Sequence, residues 1–98
     1  MPSFTLSRAA EDDLERIAAY TIETFGIEQA ILYRDGLVRA FNFLAEFPYA
    51  ARERPELRQK SRAYPCQSHL IFYRLDGDGI FIQRIRHARE DWQADRND

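Results

Sequence analysis

The sequence predicts an α+β fold of two layers, in the order β-α-α-β-β-β, with an αα-hairpin packed on a mostly antiparallel sheet. Three observations predict it. Apolar residues recur at helical spacing between Ala10 and Phe47, with one interruption at Gly26. After Pro48 the pattern changes to short runs of β-forming residues. Between the last two runs stands Asp76-Gly-Asp-Gly79, a strong hairpin signal. Helices grouped ahead of antiparallel strands must cover one face of the sheet to bury their apolar stripes.

The elements follow in order. Phe4-Thr5-Leu6 alternates and reads as a first strand, which must find an edge or a central place in the sheet made by the later three. Ser7 stands where a helix N-cap belongs, since its hydroxyl can accept from an unpaired N–H of the first turn. The acidic run Glu11, Asp12, Asp13 and Glu15 suits the positive end of the helix dipole. The first helical stripe is Ala10, Leu14, Ile17, Ala18, Thr21 and Phe25, and Gly26 fits a left-handed stop after it. A second helix is expected from about Glu28 to Phe47. Its stripe is Ala30, Tyr33, Leu37, Ala40, Phe41, Leu44 and Phe47, and a flanking row of Ile31, Val38 and Ala45 widens it. Gly36 in its middle costs about 1 kcal/mol against Ala, so close packing is expected there. Pro48 ends the helix. The link between the helices is short enough to force them antiparallel.

Pro48 to Glu56 reads as a loop. Leu57 to Tyr64 reads as a partly exposed strand, Pro65-Cys66-Gln67 as a turn, His69 to Leu75 as a central strand and Ile80 to His87 as its partner. By simple alternation Ile80, Ile82, Arg84 and Arg86 share one face of the last strand, and Phe81, Gln83, Ile85 and His87 the other. Residues 88–98 read as polar, with a short helical turn around Trp92. One domain over 1–98 is expected, with a core of about 3–89 and a polar tail, 90–98.

The 98 residues are 45% hydrophobic and 31% charged, which excludes disorder as the default. Apolar stretches break at charges within a few residues, which excludes a transmembrane helix, and no signal peptide opens the chain. The single cysteine, Cys66, rules out an internal disulfide and suits a reducing cytoplasm. It reads as a small strand-end residue. The net charge of −2 is unevenly spread. Residues 1–51 carry four Arg against eight Asp/Glu, residues 52–89 eight Arg and one Lys against four, and residues 90–98 one Arg against four. The basic middle segment, rich in arginine, suits an anionic partner or a solvated basic face. There is no phosphate-binding glycine loop, no dinucleotide fingerprint and no Cys/His ligand spacing, so no cofactor or metal is expected. Asp76 to Gly79 lacks the remainder of a calcium loop.

Several local patterns coincide with a known family. Phe4-Thr-Leu-Ser-Arg-Ala-Ala-Glu-Asp-Asp-Leu14, Tyr20 through Phe25-Gly26, Glu28-Gln-Ala30, Leu44-Ala-Glu-Phe-Pro48, Glu56-Leu-Arg58, Ser68-His-Leu-Ile-Phe-Tyr-Arg74 and Ile85-Arg-His87 follow in the order found in toxins of the RelE/ParE superfamily. The chain resembles the ParE branch over about residues 4–89. Arg8 departs from a proline that many members carry after the capping serine, which leaves the helix start intact. The resemblance implies a bacterial, cytoplasmic toxin of a type II toxin–antitoxin module. ParE-type toxins poison DNA gyrase, whereas RelE-type relatives cut mRNA. Both are neutralised by a cognate antitoxin, here expected to be ParD-like. Neither a membrane partner nor direct sequence-specific DNA binding is implied.

A metal-free ribonuclease must deprotonate a 2′-hydroxyl, stabilise the phosphate and protonate the leaving oxygen. The inventory for that is Lys60, Arg62, Tyr64, Arg74, Arg84, Arg86, His87 and Arg89. RelE relatives lean on several lysines and a late tyrosine. With one lysine and no tyrosine after Tyr73, the chain leans towards a binding inhibitor and not an enzyme. If it were a ribonuclease, Arg62, Arg84 and His87 would be the candidates, and His69 would serve only to fix its strand. For a target or an antitoxin, the expected contact set is Lys60, Arg62, Arg74, Arg84, Arg86, His87 and Arg89. Arg84 and Arg86, beside Arg62 and Lys60 on neighbouring strands, would form a basic groove for a phosphate backbone or an acidic antitoxin segment. Tyr20, Ile22, Ile31 and Val38 lie outside the main helical stripes and mark either a protein contact or ordinary packing. A non-toxic interaction domain of the same fold is a third reading.

Overall fold

The computed structural model describes residues 3–90. The elements are β1 (Phe4–Leu6), α1 (Arg8–Phe25), α2 (Ile27–Glu46), β2 (Arg62–Cys66), β3 (His69–Asp76) and β4 (Gly79–His87). The strands form one four-stranded sheet in the order β1-β4-β3-β2. The expected two-layer α+β architecture is present, with β1 at one edge, parallel to β4, and the remaining pairs antiparallel. The expected tail and the turn around Trp92 lie outside the described residues.

Ser7 caps α1 as its chemistry dictates. Its hydroxyl accepts from the Ala10 N–H at 2.9 Å and donates to the Gln83 carbonyl at 2.8 Å. Its own N–H donates to the Ile82 carbonyl, so β1 hands the chain to α1 while still bonded to β4. Gly26 alone links the helices. Its φ of 94° and ψ of 167° differ from the expected left-handed helical stop, yet this combination is equally reserved for glycine. A Cβ there would touch nothing, so the backbone angle itself demands the residue.

The core joins Ala10, Leu37, Phe41, Leu44 and Ala45 of the helices to Ile71, Tyr73, Ile80, Ile82 and Ile85 of the central strands. Gly36 faces the β2–β3 turn. A Cβ there would lie 2.8 Å from Gln67 Nε2, and that amide donates to the Tyr33 carbonyl at 3.1 Å, so the expected close packing is real. The stripes overreach at their ends. Phe25 and Phe47, expected in the core, are 65% and 52% exposed, one the last residue of α1 and the other the cap of α2.

Two strand expectations are corrected. The strand expected over 57–64 begins only at Arg62, and Pro65, expected in a turn, lies within it. Proline is tolerated because β2 is the other edge of the sheet, where a missing N–H costs no ladder bond. The turn is Gln67-Ser68, with Gln67 at φ 57° and Cys66 opposite His69. The face assignment of β4 also fails. Phe72 faces Arg84, but Tyr73 faces Ile82, so Gln83 is an extra residue in β4. Such a bulge reverses the alternation beyond it. Ile80, Ile82 and Ile85 therefore all turn to the helices and are at most 3% exposed.

Close approach also governs the β3–β4 turn. Gly77 takes the positive φ of 62° that the turn requires, and a Cβ on Gly79 would lie 2.1 Å from the Ser3 carbonyl oxygen. Gly79→Ala should displace β1 and cost about 1–3 kcal/mol. Gly77→Ala meets only open space and should cost about 1 kcal/mol from its backbone angle. Urea unfolding of the two variants checks this ordering.

Candidate functional site

β1 ends at Leu6, opposite Ile82, so the rest of β4 has no strand on that side. Asp13 of α1 takes the vacant place. Its carboxylate accepts the Ile85 N–H at 2.9 Å, and it accepts Arg84 Nε and Nη2 at 2.8 and 3.0 Å. Arg16, one helical turn on, also bonds it. Asp13 is 4% exposed, so this is a carboxylate in the protein interior with its acceptor capacity filled. The carboxylate bonds push the Arg84 guanidinium above its ordinary range, against the opposing effect of burial. Sequence reasoning placed Asp13 only in an acidic helix start. Its spacing from Ala10, Ile17 and Thr21 was the available signal, because those positions share one helical face.

Above this tie lies a cleft of about 670 Å³ between the helical hairpin and the late strands. Its helical wall includes Ile17, Tyr20, Phe25 and Tyr33, and its sheet wall includes His69, Arg84, Arg86, His87 and Glu90. Tyr20 and Phe25 are each 65% exposed on its rim. The Glu90 carboxylate bonds Arg86 Nε at 3.0 Å and the His87 N–H at 3.0 Å. Bonding to Arg86 is the main cause that holds the Glu90 carboxyl below the ordinary range.

The expected basic set is divided by this geometry. Arg84, Arg86 and His87 line the cleft, as does Glu90, and the Arg89 N–H bonds His87. Arg74 lies elsewhere, with its guanidinium 4.6 Å above the centre of the Phe81 ring. Arg62 stands opposite buried Tyr73, on the helix side of the sheet, and donates to the Ala51 carbonyl at 2.7 Å. Its guanidinium also lies 5.0 Å from the Tyr49 ring centre. Tyr73 braces the same segment, its hydroxyl donating to the Pro48 carbonyl at 2.8 Å and accepting from Ala51. Lys60 precedes β2 in an exposed turn at φ 57°. The single groove expected from Lys60, Arg62, Arg84 and Arg86 is therefore not formed, because Arg62 points inward and the bulge re-aims the end of β4. Nor do Arg62, Arg84 and His87 converge. Arg62 is four residues along β2 from Cys66, which faces His69, a separation of roughly 13 Å along the strand. Among the described residues no group of three or more His, Cys, Asp or Glu could hold a metal ion. Cys66 is free and half-buried, and burial pushes its thiol up, away from the reactive thiolate.

Comparisons with known proteins place this chain in a defined group of small proteins. The family model described as the ParE toxin of the type II toxin–antitoxin system parDE matches residues 4–92. Toxin ParE1 of Mycobacterium tuberculosis is 37% identical over 95 residues, covering 96% of this chain and 95% of that protein. Toxin ParE1 of Caulobacter vibrioides is 34% identical over 94 residues, with the same coverage. A solved structure described as the chromosomal ParDE system from P. aeruginosa superposes with a TM-score of 0.75 at 24% identity, over 89% of this chain and 96% of that one. The chain belongs to the ParE toxin family of type II toxin–antitoxin systems.

Removing the Asp13 carboxylate strands the Ile85 N–H and takes away its bonds to Arg84 and Arg16. A buried N–H left unpaired costs about 1–3 kcal/mol, and the two guanidiniums add less because both are open to water. Asp13→Ala should lower the unfolding free energy by about 1–3 kcal/mol in chemical denaturation. Arg8→Ala, which loses only an exposed pair with Asp12, should change it by less than about 0.5 kcal/mol.

Proposed function

We propose that this chain is a growth-arresting toxin that inhibits DNA gyrase by binding and is neutralised by a cognate ParD-like antitoxin. The observation that carries the antitoxin half is the apolar surface left bare on the helical hairpin. Tyr20, Ile22, Phe25, Ile27, Ile31 and Leu32 are all between 46% and 65% exposed, on both sides of Gly26. A small monomer rarely leaves such a surface uncovered, and an amphipathic helix laid along the hairpin would bury it. Tyr20 and Phe25 carry the surface into the cleft, whose sheet wall includes the ion-paired Arg84 and Arg86. Family membership supports the toxin half, and gyrase is the target that the ParE branch implies.

The sheet face away from the helices is the second surface and the one we assign to the target. It carries Arg74 stacked on Phe81, with Lys60 exposed in the turn ahead of β2. The ribonuclease alternative draws no support from the geometry, since Arg62 lies roughly 13 Å along β2 from the end of the sheet where His87 stands opposite His69.

Expression of the chain alone should arrest growth, and the product of a neighbouring antitoxin gene should restore it. In a supercoiling reaction the toxin should leave linear plasmid, whereas intact supercoiling with cleaved mRNA in arrested cells would overturn the gyrase assignment. Tyr20→Ala with Phe25→Ala should weaken antitoxin binding roughly 10- to 100-fold, with stability changed by less than about 0.5 kcal/mol. Unchanged affinity of that variant in calorimetry would remove the hairpin from the interface.

A further inference from the structure

Arg62 is a buried cation without a counter-ion. It is 9% exposed, and among the described residues no carboxylate pairs with it. A guanidinium carries five N–H donors. Here Nη1 donates to the Ala51 carbonyl at 2.7 Å, while Nε is sealed from solvent with no acceptor. Nη2 makes no hydrogen bond either. The Tyr49 ring, 5.0 Å from the guanidinium carbon, compensates only in part. The acidic residues of the neighbouring loop do not serve Arg62. Glu56 pairs with Arg54, and Glu53, opposite Arg62 across an isolated bridge, leaves its side chain exposed. A charge taken out of water without a partner is costly, and an acceptor from outside the chain would relieve that cost.

Beside this arginine, at the C-terminal end of α2, lies an open groove of about 490 Å³ lined by Phe43, Glu46, Phe47, Pro48, Tyr49 and Ala50. Its three aromatic rings are all exposed. Phe43 stacks against Phe47 and against Tyr64 of β2, at ring separations of 5.3 and 5.8 Å, so the groove has a braced apolar wall. Tyr49 belongs both to the groove and to the Arg62 contact. Its hydroxyl makes no hydrogen bond among the described residues, so the ring is free to turn aside from the guanidinium. Phe43 lies roughly 25 Å along α2 from Gly26, which separates this surface from the bare hairpin.

We propose that this groove docks an acidic peptide segment of a protein partner, which sets one carboxylate on the Arg62 guanidinium and an apolar side chain against Phe43 and Phe47. Charge complementarity selects the occupant. A carboxylate that accepts from Nη2 makes a charge-assisted bond and supplies the counter-ion that the chain lacks there. The exposed rings beside it offer the apolar half of the contact. A nucleic-acid strand fits less well, because its phosphates would run along apolar walls and meet the Glu46 carboxylate. The site is distinct from the hairpin surface and from the outer face of the sheet, and it does not rest on the toxin reading.

NMR titration of the full chain with the capped tripeptide acetyl-Phe-Glu-Leu-amide, up to about 10 mM, tests the proposal at the weak affinity a short peptide has. The Arg62 Nε–H is the reporter, since burial slows its exchange with water. The peptide should shift that resonance and the Phe47 and Tyr49 amides, and leave Ile27 and Ile31 unmoved. Glutamine in place of the peptide's glutamate should weaken binding about tenfold or more. Phe47→Ala, at an exposed position, should weaken it about tenfold, with an unchanged Ile82 amide showing that the fold is intact. No shift at Arg62, equal binding of the glutamine peptide, or equal shifts with inorganic phosphate or a thymidine oligonucleotide would each overturn the proposal. So would shifts at Phe47 and Tyr49 that follow protein concentration without peptide, which would make the occupant a second copy. A displaced Arg62 Nε–H resonance in Glu53→Gln would overturn it too, by showing that the chain supplies its own counter-ion.

Discussion

A single carboxylate decides how the two layers meet. β1 pairs with β4 for only three residues, and beyond Ile82 the strand would present bare N–H groups to whatever lies beside it. A backbone donor left unpaired in the interior costs about 1–3 kcal/mol. Asp13 meets that demand by accepting the Ile85 N–H, and it accepts the Arg84 guanidinium as well. Because Asp13 sits on α1, the same bonds fix how far the helix slides along β4. That placement sets the width of the cleft between hairpin and sheet.

The bulge at Gln83 belongs to the same arrangement. Without the extra residue, Ile85 would face away from the helices and its neighbours would point into the core. With it, three isoleucines of β4 reach the core, and Arg84 stands beside the helix where Asp13 can bond it. Gln83 itself is tied down from the other side. Its amide bonds Ser61 Oγ and Gln59, which anchors the loop ahead of β2 to the middle of the sheet. The consecutive positive φ values at Gln59 and Lys60 occur in that anchored loop.

Local chemistry made most of the fold legible. Ser7, Gly26, Gly36 and the Asp76 to Gly79 turn each announced a cap, a stop, a close contact or a hairpin, and each does that work through bonds within reach along the chain or by needing space. Non-local features were hidden. The strand bulge depends on which residues face each other across two strands, which alternation along one strand does not encode. Pro65 read as a turn because its place at a sheet edge is a property of the whole sheet. Arginine counting found the basic segment but not its partition, since Arg62 turns inward to Ala51 while Arg74 lies over Phe81. His69 was visible as a residue, but its partner Tyr33 lies 36 positions away and was read as stripe.

The central claim is that Asp13 replaces a missing strand, and the Ile85 amide reports on it directly. Native-state hydrogen exchange across a denaturant series should find Ile85 opening only with global unfolding, at the same free energy as the Ile82 amide within the ladder. Exchange of Ile85 through local motion, fast and insensitive to denaturant as at a frayed edge, would show that the carboxylate does not close the sheet.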